Sequence, residues 1–286
     1  MSARRAALTG VRTALAALAL TLTAPAAVFG AQDAPRIADN SFLVEEAYNQ
    51  ESGVVQHINT LWASGPGRRA LLYALTQEWP VRGQRHQLSY TIPVNLGDGR
   101  GAGLGDLMVN YRLQLELGRD VVAAPRLSLA MPTGDWDRGF GTGSPGVQLA
   151  VPMSARVSRQ VVLHANGGVT VSPSVRAPGG IRRAVTGWSA AGSVVGPVLL
   201  PVNLLLETLV LSDAGVSATG AIERSLDVIV SPGVRFAFEL GRMQVVPGFA
   251  VPLYLRRGIQ RHDLFVYLSL EHAFRGARAA EGAMAR

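Results

Sequence analysis

The sequence predicts an all-β fold: an antiparallel transmembrane β-barrel of about 12 strands, preceded by a cleaved signal peptide. Three observations predict it: a basic and then apolar leader, a recurrent alternation of apolar and polar side chains, and links that alternate between short and long. The alternation is plainest in GDLMVNYRLQLELG, Gly105 to Gly118. Asp106, Asn110, Arg112, Gln114 and Glu116 fall on one face, and Leu107, Val109, Tyr111, Leu113, Leu115 and Leu117 on the other. Successive side chains of an extended strand leave opposite faces, so period two marks a strand and excludes a helix. A soluble sheet over a core and a lipid-facing barrel both give this pattern, so the rest of the chain must separate them.

The leader comes first. MSARRAALTGVR is basic, TALAALALTLT is an apolar run of 11, and Val28 and Gly30 are small residues at minus three and minus one of a cut before Ala31. The run is too short for a membrane helix, which takes roughly 20 residues. Residues 1–30 therefore read as a secretory signal peptide. It carries Arg4, Arg5 and Arg12 and no acid, so cleavage lowers the net charge from +7 to +4. That charge is too small to argue for nucleic acid as a partner, and secretion argues against it.

Composition narrows the class further. With 48% hydrophobic and 16% charged residues in 286, the chain is not disordered, and its 32 glycines and 16 prolines point away from a helical protein. Cysteine is absent. That excludes a disulfide framework, a thiolate metal site, a thiol nucleophile and a lipidated cysteine anchor. All 27 basic residues are arginine, which reads as codon usage rather than a demand for guanidinium groups. Past the leader no apolar run is long enough for a membrane helix, so entry into a membrane has to be by strands, which satisfy their backbone groups in lipid only as a closed barrel.

Residues 31–52 are expected as an N-terminal periplasmic segment, 53–274 as the barrel and 275–286 as a C-terminal tail. Twelve strand candidates follow from Gly, Pro, Asn, Asp and Arg punctuation: 53–62, 70–80, 86–96, 104–117, 120–132, 144–157, 161–172, 184–197, 202–211, 226–239, 243–255 and 263–274. Links such as ELGRD, SRQ and ELGRM, after even-numbered strands, are short. Links after the third, fifth, seventh and ninth strands are longer and rich in Gly, Ser and Asp, as in PTGDWDRGFGTGS and SDAGVSATGAIERS. Short turns on one side, long loops on the other and an even strand count are features of outer-membrane barrels. They place both termini on the periplasmic side.

The alternation recurs. In LDVIVSPGVRFAFEL, Asp227, Ser231, Arg235 and Glu239 oppose Val228, Val230, Val234, Phe236, Phe238 and Leu240. In HDLFVYLSLEHAF, Asp263, Ser269 and Glu271 oppose Leu264, Val266, Leu268, Leu270 and Phe274. A soluble sandwich would have shorter strands and a more charged solvent face. Two features run the other way. Aromatic residues are 6%, thin for two interfacial girdles, and prolines recur inside strands, Pro232 and Pro247 with no local explanation.

GLGDLMVNYRLQL from Gly103, RLSLAMPTGD and GTGSPGVQLAVPMSARVSRQVVLHANGGVTV resemble the outer-membrane transporters grouped as the MetA-pathway phenol-degradation family. The resemblance runs through residues 40–274, is most specific from PTGD to GTGS, and extends to NSFLVEEAYNQESGVVQHI at its start. It implies a single barrel in the outer membrane of a Gram-negative bacterium, a weak link to aromatic-compound uptake, and no catalytic residue. Twelve residues follow Phe274, whereas such barrels often end on an aromatic residue that the barrel-insertion machinery recognises.

The expected lumen-lining set is Asp106, Asn110, Arg112, Gln114, Glu116, Arg126, His164, Asn166, Glu207, Asp227, Arg235, Glu239 and Glu271. A barrel of about twelve strands lies between small ones filled by side chains and large ones that leave a water channel. The set therefore fits either a narrow polar pathway or an interior sealed by ion pairs; its mixed signs predict no strong ion selectivity. Asp135, Trp136 and Asp137 are expected in an extracellular loop or a constriction; two aspartates among glycines are turn chemistry before they are a metal site. His164 has Ser154 and Ser172 as candidates for the same face, but no serine stands in a nucleophile motif. His57, His86, His262 and His272 show no metal-ligand spacing. Glu45 and Glu46 precede the first strand, in a periplasmic segment or a partial plug, and are not spaced as a glycosidase pair.

The sequence thus reads as an outer-membrane barrel that is not an enzyme and has no cofactor or metal. It is expected to be a channel or transporter for small solutes, aromatic or hydrophobic ones included, with outer-membrane lipid around it. A sealed structural barrel and an outer-membrane lipid hydrolase are the alternatives.

Overall fold

The computed structural model describes residues 41–65, 70–97, 101–158, 160–199, 201–255 and 259–273. The signal peptide, the start of the N-terminal segment and the C-terminal tail lie outside them. Twelve strands form one closed antiparallel barrel. They are β1 (Val54–Ser64), β2 (Ala70–Pro80), β3 (His86–Gly97), β4 (Gly103–Leu104, Leu107–Leu113 and Leu115–Glu116) and β5 (Val121–Ala123 and Arg126–Met131). There follow β6 (Gly146–Arg156), β7 (Val162–Ala177), β8 (Ile181–Leu199), β9 (Val202–Val216), β10 (Ile222–Phe236 and Phe238–Leu240), β11 (Met243–Ala250 and Leu253–Leu255) and β12 (Ile259–His262 and Leu264–Ala273). Each strand pairs with its neighbour in sequence, and the first pairs with the last from Val54↔Ala273 to Ala63↔Leu264. Closure removes the sheet edges that would otherwise leave backbone groups unpaired in lipid.

Alternation sets the two faces. On β6, Leu149 is 55% exposed while its neighbour Ala150 is 9%, and the same contrast separates Val147, Val151 and Met153 from Gly146, Pro152 and Ser154. The large apolar residues exposed on the outer face include leucine, valine, methionine, phenylalanine, isoleucine, tyrosine and tryptophan. So much contiguous exposed apolar surface is foreign to a soluble monomer and fits lipid as the solvent. No described helix is long and apolar enough to cross a membrane; the crossing elements are strands.

The links differ from the sequence expectation in one respect. On one side they are short throughout: residues 81–85, 117–120, 157–161, 200–201 and 241–242. On the other, 132–145 is the one long link among the described residues. The stretch expected as a loop after β9 is mostly strand, with Ser212↔Leu226 through Val216↔Ile222 still paired, and β7 and β8 meet at the three-residue turn Pro178–Gly180. Glycine, serine and alanine there weaken strand propensity, but continued pairing overrides that preference.

The interior prolines also find their reason. The β10–β11 ladder runs through Gly233↔Ala250, stops, and resumes at Val230↔Leu253. Pro232 sits in that break, its carbonyl accepting the Val251 N–H at 3.0 Å. Pro247 lies opposite a second break, between Arg235↔Gly248 and Phe238↔Val245. Each missing N–H falls beside an interruption of the ladder.

Candidate functional site

The inside of the barrel is occupied. Residues 41–50, with no regular secondary structure, run through the lumen as a strap before the turn at Glu51–Gly53 leads into β1. An irregular backbone must find partners other than a ladder, and here side chains of the barrel wall supply them. Glu207 of β9 accepts the N–H of Leu43 at 2.8 Å and of Val44 at 3.0 Å. Ser154 of β6 accepts that of Ala47 at 2.8 Å, Gln114, between the last two pieces of β4, that of Asn49 at 2.7 Å, and Gln87 of β3 that of Gln50 at 2.7 Å. Arg112 donates to the carbonyls of Glu46 at 3.1 Å and Tyr48 at 2.8 Å and to the Asn49 side chain at 2.7 Å. Asn166 donates to the Glu45 carbonyl at 3.2 Å. Arg126 pairs with the Glu45 carboxylate, and Ser41 meets Ser193 of β8 at 2.9 Å.

Apolar residues of the strap fill apolar patches of the wall. Phe42 packs at a tilt against Phe265 and Tyr267, ring centroids 5.8 and 5.0 Å away. Its ring lies where any side chain at Gly233 or Gly248 would have to go, so the two glycines make its seat. Val44 packs with Leu209 and Ile229, and Ala47 with Val122 and Ala124. The inward face is therefore not uniformly polar as the alternation alone implied: it carries apolar patches that match the strap.

Two spaces remain. One, of about 210 Å³, lies beside Ser41–Glu45 and is bounded by Thr60, Thr76, Thr91, Asn110 and the Glu78–Arg112 pair, whose charged atoms stand 3.8 Å apart. The other, of about 390 Å³, opens at the loop end between Trp62, Leu72, Asn95, Tyr254, Arg261 and Asp263. The Arg261 guanidinium lies 3.8 Å over the Tyr254 ring and 3.3 Å from Asp263. Trp62 donates to the other Asp263 oxygen at 2.7 Å.

The residues singled out from sequence are placed as follows. Asn110, Arg112, His164, Glu207 and Arg235 are buried and face inward; Arg126, Gln114, Asn166, Asp227 and Glu271 are partly buried. Asp106 turns to the loop, accepting Gly134 N–H at 3.0 Å, Thr142 N–H at 2.8 Å and the Thr142 hydroxyl at 2.9 Å. Glu116 and Glu239 stand exposed at the short-turn end, Glu239 accepting from Gln244 at 2.6 Å. In the loop, Asp135 and Asp137 are exposed and Trp136 is half-buried beside the Arg176 guanidinium at 5.7 Å; the buried aromatic there is Phe140, seated on Gly103. Among the described residues no group of three His, Asp or Glu is placed to hold a metal.

Ser154 and His164 do meet: the serine hydroxyl lies 2.8 Å from His164 Nδ1. Both are buried against the strap, and Ser154 already accepts the Ala47 N–H, so the hydroxyl faces backbone rather than a substrate path. His57 and His272, scattered in sequence, stack on the outer face with Nε2 atoms 3.1 Å apart, and His86 reaches the Tyr111 hydroxyl at 2.6 Å. Glu78 and Gln56 escaped the sequence reading, although Thr76 and Glu78 alternate with Leu75 and Trp79; Gln87, on the polar face of HQLSYTIPVN opposite Leu88, Tyr90, Ile92 and Val94, does not figure in the expected lumen-lining set.

No sequence family matches the chain, and no curated protein does. Solved structures do. The COG4313 outer membrane channel from Pseudomonas putida is 15% identical, with 80% of this chain and 98% of that one covered and a TM-score of 0.57. The NanC porin is 9% identical, with 77% and 99% covered and a TM-score of 0.53. At these identities the likeness is one of fold, and the fold is that of the outer-membrane β-barrels.

Proposed function

We propose that the protein sits in the outer membrane, placed there by the barrel-insertion machinery and surrounded by lipid, and is a narrow channel for small solutes, aromatic or hydrophobic ones included. The observation that carries this is the pair of spaces left inside a lumen otherwise crossed by the strap. The upper one has an indole, a phenol and a leucine as walls and Asn95, Asp263 and Arg261 as polar groups. An apolar cleft with a few convergent polar groups is the usual form of a small-molecule site. The inward arginines and carboxylates are the lining of the path below. Membership of the MetA-pathway phenol-degradation family belongs to the same reading and rests on the motifs quoted above.

A sealed structural barrel is the second reading, favoured by how fully the wall ties down the strap. A lipid hydrolase has only the Ser154–His164 contact in its favour, against the burial of both. Single-channel recording of the refolded barrel in a planar bilayer, with and without small aromatic compounds, separates the first two. Discrete steps, blocked by a permeant solute, are expected. Silence from protein shown to be folded and inserted would make the sealed barrel the answer.

A further inference from the structure

At the loop end of β7 to β10, the charged residues that face outward are all arginine. On β8 the outward residues in order are Arg182, Ala184, Thr186 and Trp188, while Val185 between them is buried. Arg176 of β7 is the direct cross-strand partner of Arg182, on the face opposite the buried Val175 and Ala177. On β10, Arg224 shares its face with Leu226, which lies in one row with Ser212 and Trp188. The acids at this level, Asp213 and Glu223, stand on the other face, as the partners of Ser225 and Gly215. The outward charges of these strands at this level are therefore all arginine, while the inner face carries the two carboxylates together with Arg183, the partner of the buried Val175.

Like charges directly opposite each other on paired strands destabilise a sheet, and Arg176 and Arg182 are so placed. Among the described residues none of Arg176, Arg182 and Arg224 makes an ion pair. Their contacts are neutral: Arg182 donates to the Ser174 hydroxyl at 3.2 Å, Arg224 to the Thr186 carbonyl at 3.0 Å, and Arg176 rests near the Trp136 ring. All three are exposed, with guanidinium N–H groups still open.

We propose that this outward arginine face binds the phosphate groups of a phosphorylated glycolipid in the outer leaflet. Its height fits. Measured from the exposed Trp188 and Leu226, with Ile222 the next exposed apolar residue past Arg224 on β10, a rise of roughly 3.4 Å per residue puts Arg224 about 7 Å and Arg182 about 20 Å further along their strands. Strand tilt shortens these heights. Such a band matches a headgroup of stacked phosphorylated sugars better than the single phosphate plane of a glycerophospholipid. The planar fork of arginine pairs with phosphate in two-point fashion. An outward face cannot steer a solute into the lumen, so the site is separate from the channel. The proposal rests on the barrel's lying in the outer membrane with its loop end outermost, and not on what passes through it.

The test is native mass spectrometry of the detergent-solubilised barrel with bisphosphorylated lipid A and with the same lipid stripped of phosphate. The expected result is retention of the phosphorylated form by at least about tenfold over the stripped one, as loss of two-point charged contacts implies. The Arg176→Gln, Arg182→Gln, Arg224→Gln triple variant, checked as folded by heat-modifiable gel migration, is expected to lose that preference. Arg242→Gln, in the turn at the opposite end, is expected to keep it. Equal retention of both lipids by the unaltered protein overturns the proposal without recourse to any variant, as does full retention by the folded triple variant. Channel conductance is read separately and decides the function proposed above.

Discussion

The carboxylate of Glu207 accepts the backbone N–H of Val44 at 3.0 Å across 163 residues of sequence, and the same oxygen accepts that of Leu43. A side chain from the barrel wall does there what a neighbouring strand would do in a sheet. The strap is held in this way from Ser41 to Gln50, by groups on strands all around the lumen.

Substitution of Glu207 by Ala leaves two buried N–H groups without an acceptor. A buried donor left without a partner costs about 1–3 kcal/mol, so the strap should open at least about tenfold more often. Hydrogen exchange at the Leu43 and Val44 amides measures this directly: Glu207→Ala should exchange fastest, with Glu207→Gln between it and the unaltered protein because the amide oxygen still accepts. Unchanged exchange would show that the strap is held elsewhere.

The chain has no cysteine, and the hydroxyls of Ser41 and Ser193 are 2.9 Å apart, so two thiols placed there would lie side by side. The Ser41→Cys, Ser193→Cys double variant should therefore oxidise to a single species, visible as a gel shift reversed by reductant. If the strap gates the lumen, oxidation should abolish the conductance steps and reductant restore them. Equal conductance in both states would mean that solutes pass a fixed strap.

Asp106 holds the loop 132–145 through three hydrogen bonds to Gly134 and Thr142. Asp106→Ala removes them at a cost of about 1 kcal/mol or more apiece. Trypsin cleavage after Arg138, an exposed loop residue, should accelerate at least about tenfold while the barrel stays heat-modifiable. An unaltered cleavage rate would assign the loop's order to Phe140 on Gly103 instead.

Much of this was legible in the sequence. The twelve strands and the facing of Asn110, Arg112, Asp227 and Arg235 follow from a period of two, which is local: each residue's face is set by its neighbour's. Strand ends beyond the apolar zone were less legible. Ser212–Val216 and Ile222–Ser225 read as loop by composition, yet pair because each has a partner at hand.

What the sequence by itself determined is the barrel, its lipid-facing surface and the polar character of much of its inner wall. Only the tertiary structure decided what the wall encloses. SFLVEEAYNQ has no periodicity that marks a strap, and its place is fixed by Gln87, Arg112, Ser154, Glu207 and the glycine seat at 233 and 248, scattered over many strands. Those groups become a single binding surface only when β1 closes on β12, because an irregular segment is specified by the surface that receives it.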